Sequence, residues 1–224
     1  MAAGGGGLPP CPKNWEPKNL PNYDAIMTRR STLVASVIRS SAPGILAQVV
    51  KDTRPVHGSL FNGFTPPHFP YFAGNYRGSR HSCLASYEVT AGTPNPNSPK
   101  VGHPAATVPI EMDALAGQID LAIQEMDLVW NAPNAVMGRE AKLVRLVELV
   151  AAIFVYWMEI HPYANGNGHT ARFLMLALFA RQQIFLNSKM TVHPRPSDPN
   201  YISAIADHRM GKTQPLHLLI LQCL

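Results

Sequence analysis

The sequence predicts a mainly α-helical protein that carries one small β-hairpin flap. Between Glu111 and His193 only Pro133 and Pro162 occur, and proline is strongly disfavoured inside helices. Apolar residues in that interval recur at three- and four-residue steps, which is the period of an amphipathic helix. Residues 78–109 instead combine a short strand-like run with many turn residues, which predicts the flap.

The first elements in chain order are a tail and a short helix. Residues 1–22 are rich in glycine and proline, and we expect a disordered tail because such a segment buries too little apolar surface to become ordered. A helix is predicted from Asp24 to about Ser40, where the turn residues of "SAPG" stop it. Residues 23–54 are therefore interpreted as an N-terminal helical extension, and residues 55–224 as the main domain.

The flap is predicted from two neighbouring stretches. The run "SCLASYEV" is long enough for a strand, and "AGTPNPNSPKVG" is rich in residues that form turns. Together they indicate a hairpin or an extended flap that precedes the helical core.

Three long helices are predicted to form that core. The first ends near "NAPN", and its apolar face consists of Leu115, Ile119, Ile123, Met126 and Trp130. The second is apolar on nearly all sides after Leu149, which predicts a central position, and its apolar positions are Leu143, Leu146, Val147, Val150, Phe154 and Met158. The third begins just after Gly168, and its core positions are Phe173, Leu174, Ala177 and Leu178.

Charge and composition narrow the classes of function. Residues 1–110 carry ten Lys or Arg against four acidic residues, whereas the remainder carries nine against ten. The basic residues are scattered singly without interleaved aromatic residues, so nucleic-acid binding is not indicated. The longest apolar stretch, Leu149–Met158, is about half of what a bilayer span needs, and the start of the chain lacks the pattern of a secretory signal.

The cysteines suggest a reducing compartment. Cys11, Cys83 and Cys223 are odd in number and far apart in the sequence, so neither a disulfide framework nor a zinc-binding spacing is indicated. We therefore expect a soluble, cytoplasmic protein without a membrane partner.

The stretch "HPYANGNGHTARF", residues 161–173, interrupts two helices that otherwise read as continuous core. Glycines just before a helix N-terminus allow close approach to free backbone N–H groups, which together form an anion site. His169 and Arg172 follow in the first turn of that helix and can add positive charge, which favours a polyphosphate ligand. His161, at the other end of the loop, can act as a general base.

Two other interpretations of these histidines stay open at this point. His161 can simply cap the preceding helix while the glycines form a turn. A zinc site of His161, His169 and His193 is a weaker alternative, because no pair has the short spacing typical of ligands on one helix.

The stretch resembles the signature of the Fic family, H-P-F-x-[D/E]-G-N-G-R-x-x-R, which belongs to the Fic/Doc superfamily of nucleotidyl- and phosphotransferases. The identical positions are His161, Pro162, Gly166, Asn167, Gly168 and Arg172. Tyr163 keeps the aromatic character of its position. The segments "VHGSLFNGF", "YFAGNYRG" and "DHRMGKTQPLHLLI" are also similar to family segments, so the resemblance covers roughly residues 55–221.

The resemblance implies an all-α Fic fold with its flap, and a transferase that modifies proteins. The motif histidine, here His161, would activate a Ser, Thr or Tyr hydroxyl of a target protein. The hydroxyl would attack the α-phosphate of ATP or another nucleotide, so the activity would be protein adenylylation (AMPylation) or a close variant. Gly166, Asn167 and Gly168 would hold the phosphates, with Arg172 at their distal end.

Two positions depart from the family signature. Asn165 replaces the acidic residue that binds Mg²⁺, and its uncharged amide oxygen predicts a weaker metal site. His169 replaces the first motif arginine and offers fewer hydrogen-bond donors to a nucleotide. These departures keep three alternatives open: a slow AMP transferase, a toxin-like Fic protein with another phosphate-containing donor, and a pseudoenzyme that only binds nucleotide.

The sequence bears on regulation in one way, because it lacks the inhibitory motif of the family. No [S/T]-x-x-x-E-[G/N] string, the inhibitory signature of the family, occurs in the chain. A separate inhibitor protein is therefore a possible partner besides the target protein.

Overall fold

The computed structural model of the protein describes residues 9–90 and 101–224. Within these ranges the chain forms eight α-helices, joined by loops and by three single-turn 3₁₀-helices at residues 17–19, 70–72 and 105–107. The helices are α1 (Tyr23–Ser40), α2 (Pro43–Val49), α3 (Arg54–Phe61), α4 (Val108–Asn131), α5 (Arg139–Ile160), α6 (Asn167–Ala180), α7 (Tyr201–Arg209) and α8 (Gln214–Leu221).

Helix α5 is the centre of the core. It packs against α4, α6, α7 and α8, and side chains on several of its faces, including Val147, Val150, Phe154 and Trp157, are fully buried. A helix that is apolar on nearly all sides has to be surrounded in this way, because each apolar face must leave water. The predicted central helix is thereby confirmed.

The other predicted helices are also present. Helix α1 follows the predicted bounds closely, α4 ends at the predicted "NAPN", and α6 begins within two residues of the predicted start at His169. Helix α6 packs against α5 on one side and against α1 and α2 on the other. The turn between α5 and α6, which contains the signature residues, is therefore anchored at both ends in the core.

The predicted β-hairpin is not present in the described residues. Residues 79–86 form successive turns, in which the Gly78 N–H donates to the Leu84 carbonyl and the Ala85 N–H to the His81 carbonyl. These local bonds use the backbone groups that a strand would offer to a partner. Part of the predicted turn region, residues 91–100, lies outside the described residues.

The N-terminal segment, residues 9–22, packs onto the domain, although a disordered tail was expected there. Trp15 is only 4% exposed, and its ring contacts those of Phe61 and Phe72. Its indole N–H donates to the Phe64 carbonyl at 2.8 Å. One large aromatic side chain thus supplies the apolar burial that the glycine- and proline-rich composition did not indicate. Residues 1–8 of the predicted tail lie outside the described residues.

A disulfide joins Cys11 to Cys83 across 72 residues, which the cysteine spacing did not indicate. Cys223 is free and buried. Disulfides persist mainly in oxidising compartments, so this bond lends no support to the expected cytoplasmic location. In the described parts of the chain, no helix combines the length and the apolar character needed to cross a membrane.

Candidate active site

His161 forms the end of helix α5. Its backbone adopts a left-handed conformation with φ of 51°, and Pro162 follows, which disfavours a helical conformation for the residue before it. The imidazole Nδ1–H donates to the Met158 carbonyl one turn back. This bond fixes the tautomer, because a carbonyl only accepts, and it leaves the lone pair on Nε2 for another proton.

The protonation state of His161 follows from its surroundings. The pKa of His161 is lowered to about 4, mainly by burial and also by the positive charges of Arg77 and Arg209, while the bond to Met158 opposes this shift. The ordinary pKa of a histidine side chain lies near neutrality. The buried imidazole is instead a neutral, weak base throughout the physiological pH range.

Arg77, which the sequence pattern did not single out as a site residue, holds His161 in place. It is fully buried, and its guanidinium donates to the carbonyls of Tyr87, His103, Ile160 and His161 at 2.8–3.1 Å. Carbonyls at a helix C-terminus lack partners within the helix, so a cation there satisfies and stabilises them. Arg77 lies within the segment "YFAGNYRG", and its similarity to a family segment was the one signal for it.

The motif loop, residues 161–168, is shaped by its own side chains. The Asn167 side chain closes a pair of bonds with the backbone of Tyr163, accepting from its N–H and donating to its carbonyl, both at 2.8 Å. Gly166 has φ of +82°, and a Cβ there would lie 2.3 Å from the ring of Phe61. Asn167 and Gly166 therefore build the loop, although the signature suggested that they contact phosphate directly.

His57 also holds the motif loop in place, and the sequence pattern did not single it out as a site residue. It is fully buried, accepts from the Gly74 N–H through Nδ1 and donates from Nε2 to the Asn165 carbonyl, both at 2.9 Å. Its ring stacks on Tyr163 with centroids 3.7 Å apart. Burial lowers the pKa of His57 to about 3, so this histidine is a neutral structural bridge.

The N-terminus of α6 lies where the sequence predicted an anion-binding element. Gly166 is its N-cap and provides no side-chain hydrogen bond, so the N–H groups of Asn167, Gly168 and His169 receive no capping side chain. Gly168 and His169 are partly exposed. Uncapped N–H groups and the helix dipole together favour an anion at this end.

Arg172 lies beside the N-terminus of α6, but part of its guanidinium is hydrogen-bonded to the loop at residues 191–192. Its Nε donates to the carbonyls of Thr191 and Val192, its Nη2 donates to Val192, and the side chain is 3% exposed. Its Nη1 lies on the side of Gly168, 3.3 Å from where a Cβ on that glycine would be. One edge of the guanidinium thus holds the 191–192 loop, and the other faces the first turn of α6.

His169 points to the same loop as Arg172. Its Nε2 lies 3.1 Å from Nδ1 of His193, and the two rings stack. Burial, with repulsion from Arg172 and His193, lowers the pKa of His169 to about 3, so it brings no positive charge at neutral pH. The described residues contain no group of three His, Cys, Asp or Glu side chains that could hold a metal ion, so the zinc site of His161, His169 and His193 is not formed.

Asn165 does not fit the role of a Mg²⁺ ligand. Its amide oxygen accepts from the Gly166 N–H at 2.6 Å, and its amide nitrogen donates to the Trp15 carbonyl at 2.7 Å. Both ends of the amide are used within the protein, and Mg²⁺ sites normally need one or two carboxylates. The residues of the motif loop therefore do not match the donor set of a protein-held magnesium ion.

Comparison with known proteins agrees with this arrangement. The sequence model of the Fic/DOC family matches residues 50–179, which include α3, α4, α5, the whole motif loop and all but the last residue of α6. The curated proteins and the solved structures give no match. A family match over more than half of the chain, with a histidine at the end of one core helix and an uncapped helix N-terminus five residues later, shows that the chain belongs to the Fic/DOC family.

Proposed function

We propose that this protein is a Fic-type transferase that moves AMP, or another nucleoside monophosphate or phosphate-containing group, from a nucleotide to a Ser, Thr or Tyr hydroxyl of a target protein. Membership of the Fic/DOC family supports a transferase of such groups. The observation that carries the proposal is the tautomer of His161, whose Nδ1–H is bound to Met158 so that Nε2 is the basic nitrogen.

The proposed reaction uses His161 as its general base. Nε2 accepts the proton of the target hydroxyl while the hydroxyl oxygen attacks the α-phosphorus of the nucleotide. The bond from that phosphorus to the bridging oxygen breaks, and diphosphate leaves with the electron pair. A pKa near 4 makes the free imidazole a weak base, but the negative charge of a bound nucleotide would raise this pKa toward the working range.

The phosphates are proposed to bind at the N-terminus of α6. The backbone N–H groups of Gly168 and His169 would donate to them, and Arg172 would add charge through Nη1. His169 is neutral, so its contribution is limited to a hydrogen bond. No step is assigned to Mg²⁺, because the residues of the loop do not fit it.

A nucleotide-binding pseudoenzyme is the second candidate. It is favoured by one observation, the commitment of Arg172 and His169 to the 191–193 loop, which reduces the positive charge that the signature normally presents. Weak stabilisation of the leaving diphosphate would slow transfer more than it would weaken binding of the rest of the nucleotide.

Intact-mass analysis tests the proposal. Candidate target proteins are incubated with the chain and each nucleoside triphosphate in turn, and the added mass identifies the transferred group. A His161→Ala variant serves as the negative control. If no nucleotide and target give an added mass while nucleotide binding is measurable, the pseudoenzyme is the correct alternative.

A separate inhibitor protein is retained as a proposed partner. Copurification under native conditions is the test of this partner.

A further inference from the structure

A cavity of about 410 Å³ lies between α1, α6 and the segment of residues 185–193. Among the described residues that line it, none belongs to the motif loop, residues 161–168. Part of its wall is the loop at residues 191–193, which also contacts Arg172 and His169 of the candidate active site. Volumes of this order are typical of sites for small molecules, so this cavity has room for a ligand of its own.

One wall of the cavity is apolar and rigidly held. Leu186, Met190 and Val192 line it, and all three are buried in the hydrophobic core. Leu176 of α6, which packs against that core, continues the same wall. Because burial of an unpaired polar group costs free energy, a ligand that contacts this wall has to have an apolar body.

The rim of the cavity carries polar side chains that the protein itself does not use. Ser36, Arg39 and Ser188 line the cavity and are exposed, and their side chains bond to no atom in the described parts of the chain. Ser36 and Arg39 are three positions apart on α1, so their side chains lie on one side of that helix. The guanidinium of Arg39 is therefore accessible to a ligand with all of its donors.

The charge of the lining favours an anion. The described lining residues include Arg39 but no Asp or Glu. Asp24, which pairs with His193 at 3.5 Å, is 15 positions from Arg39 on α1, or about 22 Å along the helix. A guanidinium donates two parallel bonds to a carboxylate, and its single charge matches a carboxylate better than the nearly double charge of a phosphate monoester.

We propose that this cavity binds a small carboxylic acid with an apolar body. Arg39 pairs with the carboxylate at the rim, and Ser36 adds a hydroxyl donor from the same helix. The apolar body lies against Leu186, Met190 and Val192. This site is separate from the proposed nucleotide site and does not depend on the proposed function.

Calorimetry with two acids tests the site, and each acid is compared with its neutral alcohol. The pairs are octanoate with 1-octanol and 3-phenylpropanoate with 3-phenyl-1-propanol, which cover an aliphatic and an aromatic body. We expect at least one acid to bind the wild type with a Kd below about 1 mM. Its alcohol should bind about threefold to tenfold more weakly, because it lacks the charge that pairs with an exposed arginine.

One pair of variants tests the charge. Arg39→Met should lower the affinity of the acid to that of the alcohol and leave the affinity of the alcohol unchanged. Arg29→Met removes another exposed arginine of α1, which does not line the cavity, and should leave both affinities unchanged.

A second pair of variants tests the location. Ala35 lines the cavity, so Ala35→Leu should fill part of it and weaken binding of both acid and alcohol more than tenfold. Ala25→Leu, at an exposed position of α1 outside the lining, should have no effect. Leucine is a good helix former, so both variants should keep α1 intact, and melting temperatures check this. If Ala35→Leu does not fold, the comparison of Arg39→Met with Arg29→Met decides alone.

Four outcomes would overturn the inference. These are a Kd above about 1 mM for both acids, equal affinities of acid and alcohol, an equal loss in Arg29→Met and Arg39→Met, or undiminished binding in a folded Ala35→Leu. Transfer activity is not measured in any of these experiments, so failure of the proposed function leaves the result unaffected.

Discussion

The two ring nitrogens of His161 have different roles, one structural and one chemical. Nδ1 bonds to the Met158 carbonyl, as the simple capping interpretation requires, and Nε2 is left as the basic nitrogen. The two interpretations of this residue therefore do not exclude each other. Arg77 holds the carbonyl of the same residue, so the backbone of His161 is fixed by a side chain 84 positions earlier.

Replacing His161 by alanine is expected to lower transfer by about a hundredfold to ten-thousandfold while nucleotide affinity stays within about twofold. A general base acts on the attacking hydroxyl and not on the phosphates. Single-turnover transfer and equilibrium binding are measured on the same preparation. His68→Ala, at an exposed histidine, is the matched control. Transfer that persists in His161→Ala would remove the base role from this residue.

The pH profile gives an independent readout of the same residue. Because the pKa of His161 is lowered to about 4, kcat/KM should be level from about pH 8 to pH 5 and fall as the pH approaches 4, where the imidazole is protonated. The profile of kcat should fall at a higher pH, since bound phosphate raises the pKa. An inflection of kcat/KM near pH 6.5 would contradict the buried environment of the ring.

Arg172 should show effects on both stability and binding. Arg172→Ala removes three donor contacts to the 191–192 loop and is expected to cost about 2–4 kcal/mol of unfolding free energy. Arg172→Lys keeps the charge but not the fork, so it should recover part of the nucleotide affinity and less of the stability. Urea unfolding and ATP titration of both variants separate the two. Equal ATP affinity in wild type and both variants would exclude Arg172 from the phosphate site.

At the level of elements, the motif loop is held from two directions. His57 of α3 donates to the Asn165 carbonyl, and the Trp15 carbonyl of the N-terminal segment accepts from the Asn165 amide. Two elements outside the signature, the N-terminal segment and α3, thus hold the shape of the loop that joins α5 to α6. The first of them had been interpreted as a disordered tail. The replacement of the acidic motif residue by Asn165 is understandable on this basis, since a carboxylate could not donate to Trp15.

Asn165→Asp distinguishes this role from a metal-binding one. The variant places a carboxylate against the Trp15 carbonyl, so we expect a loss of about 1–3 kcal/mol in unfolding free energy and an unchanged half-saturating Mg²⁺ concentration for transfer. Asn75→Asp, which loses a comparable donor to the Tyr71 carbonyl outside the loop, is the control. A marked fall in half-saturating Mg²⁺ in Asn165→Asp alone would show that the loop does hold the metal.

For the molecule as a whole, the disulfide links the N-terminal segment to the turns formed by residues 79–86, within the region predicted as the flap. Closing a loop of 72 residues is worth about 4 kcal/mol in the chain-entropy description. Trp15 lies four residues from Cys11 and bonds to Asn165, so the disulfide also restrains the motif loop indirectly.

Cys11→Ser is therefore expected to lower the melting temperature and to speed hydrogen exchange at residues 163–166. Cys223→Ser, which leaves the disulfide intact, should have a smaller effect on stability and none on exchange in the loop. Reductant should bring the wild type down to the level of Cys11→Ser and leave that variant unchanged. A wild type that does not respond to reductant would mean that the bond does not contribute to stability.

The helices of the core and the position of the candidate site were accessible from the sequence because both depend on local patterns. Apolar spacing predicts α4, α5 and α6, and the Asn- and Gly-rich loop after His161 predicts where one helix ends and the next begins. The flap and the tail were predicted less well. Residues 79–86 form turns with local hydrogen bonds instead of a strand. The buried side chain of Trp15 holds the N-terminal segment against the domain, although the composition of that segment is typical of disorder.

The sequence by itself determined the three core helices, the loop between α5 and α6 and the family, since periodicity and motif spacing act over a few residues of chain. The tertiary structure alone decided which donors and acceptors of the site are already used: Asn165 by Trp15, Arg172 by the 191–192 loop, His161 by Met158 and Arg77. Most of these partners lie far apart in the sequence, and a hydrogen bond depends on a separation of about 3 Å in space, which a spacing along the chain does not encode.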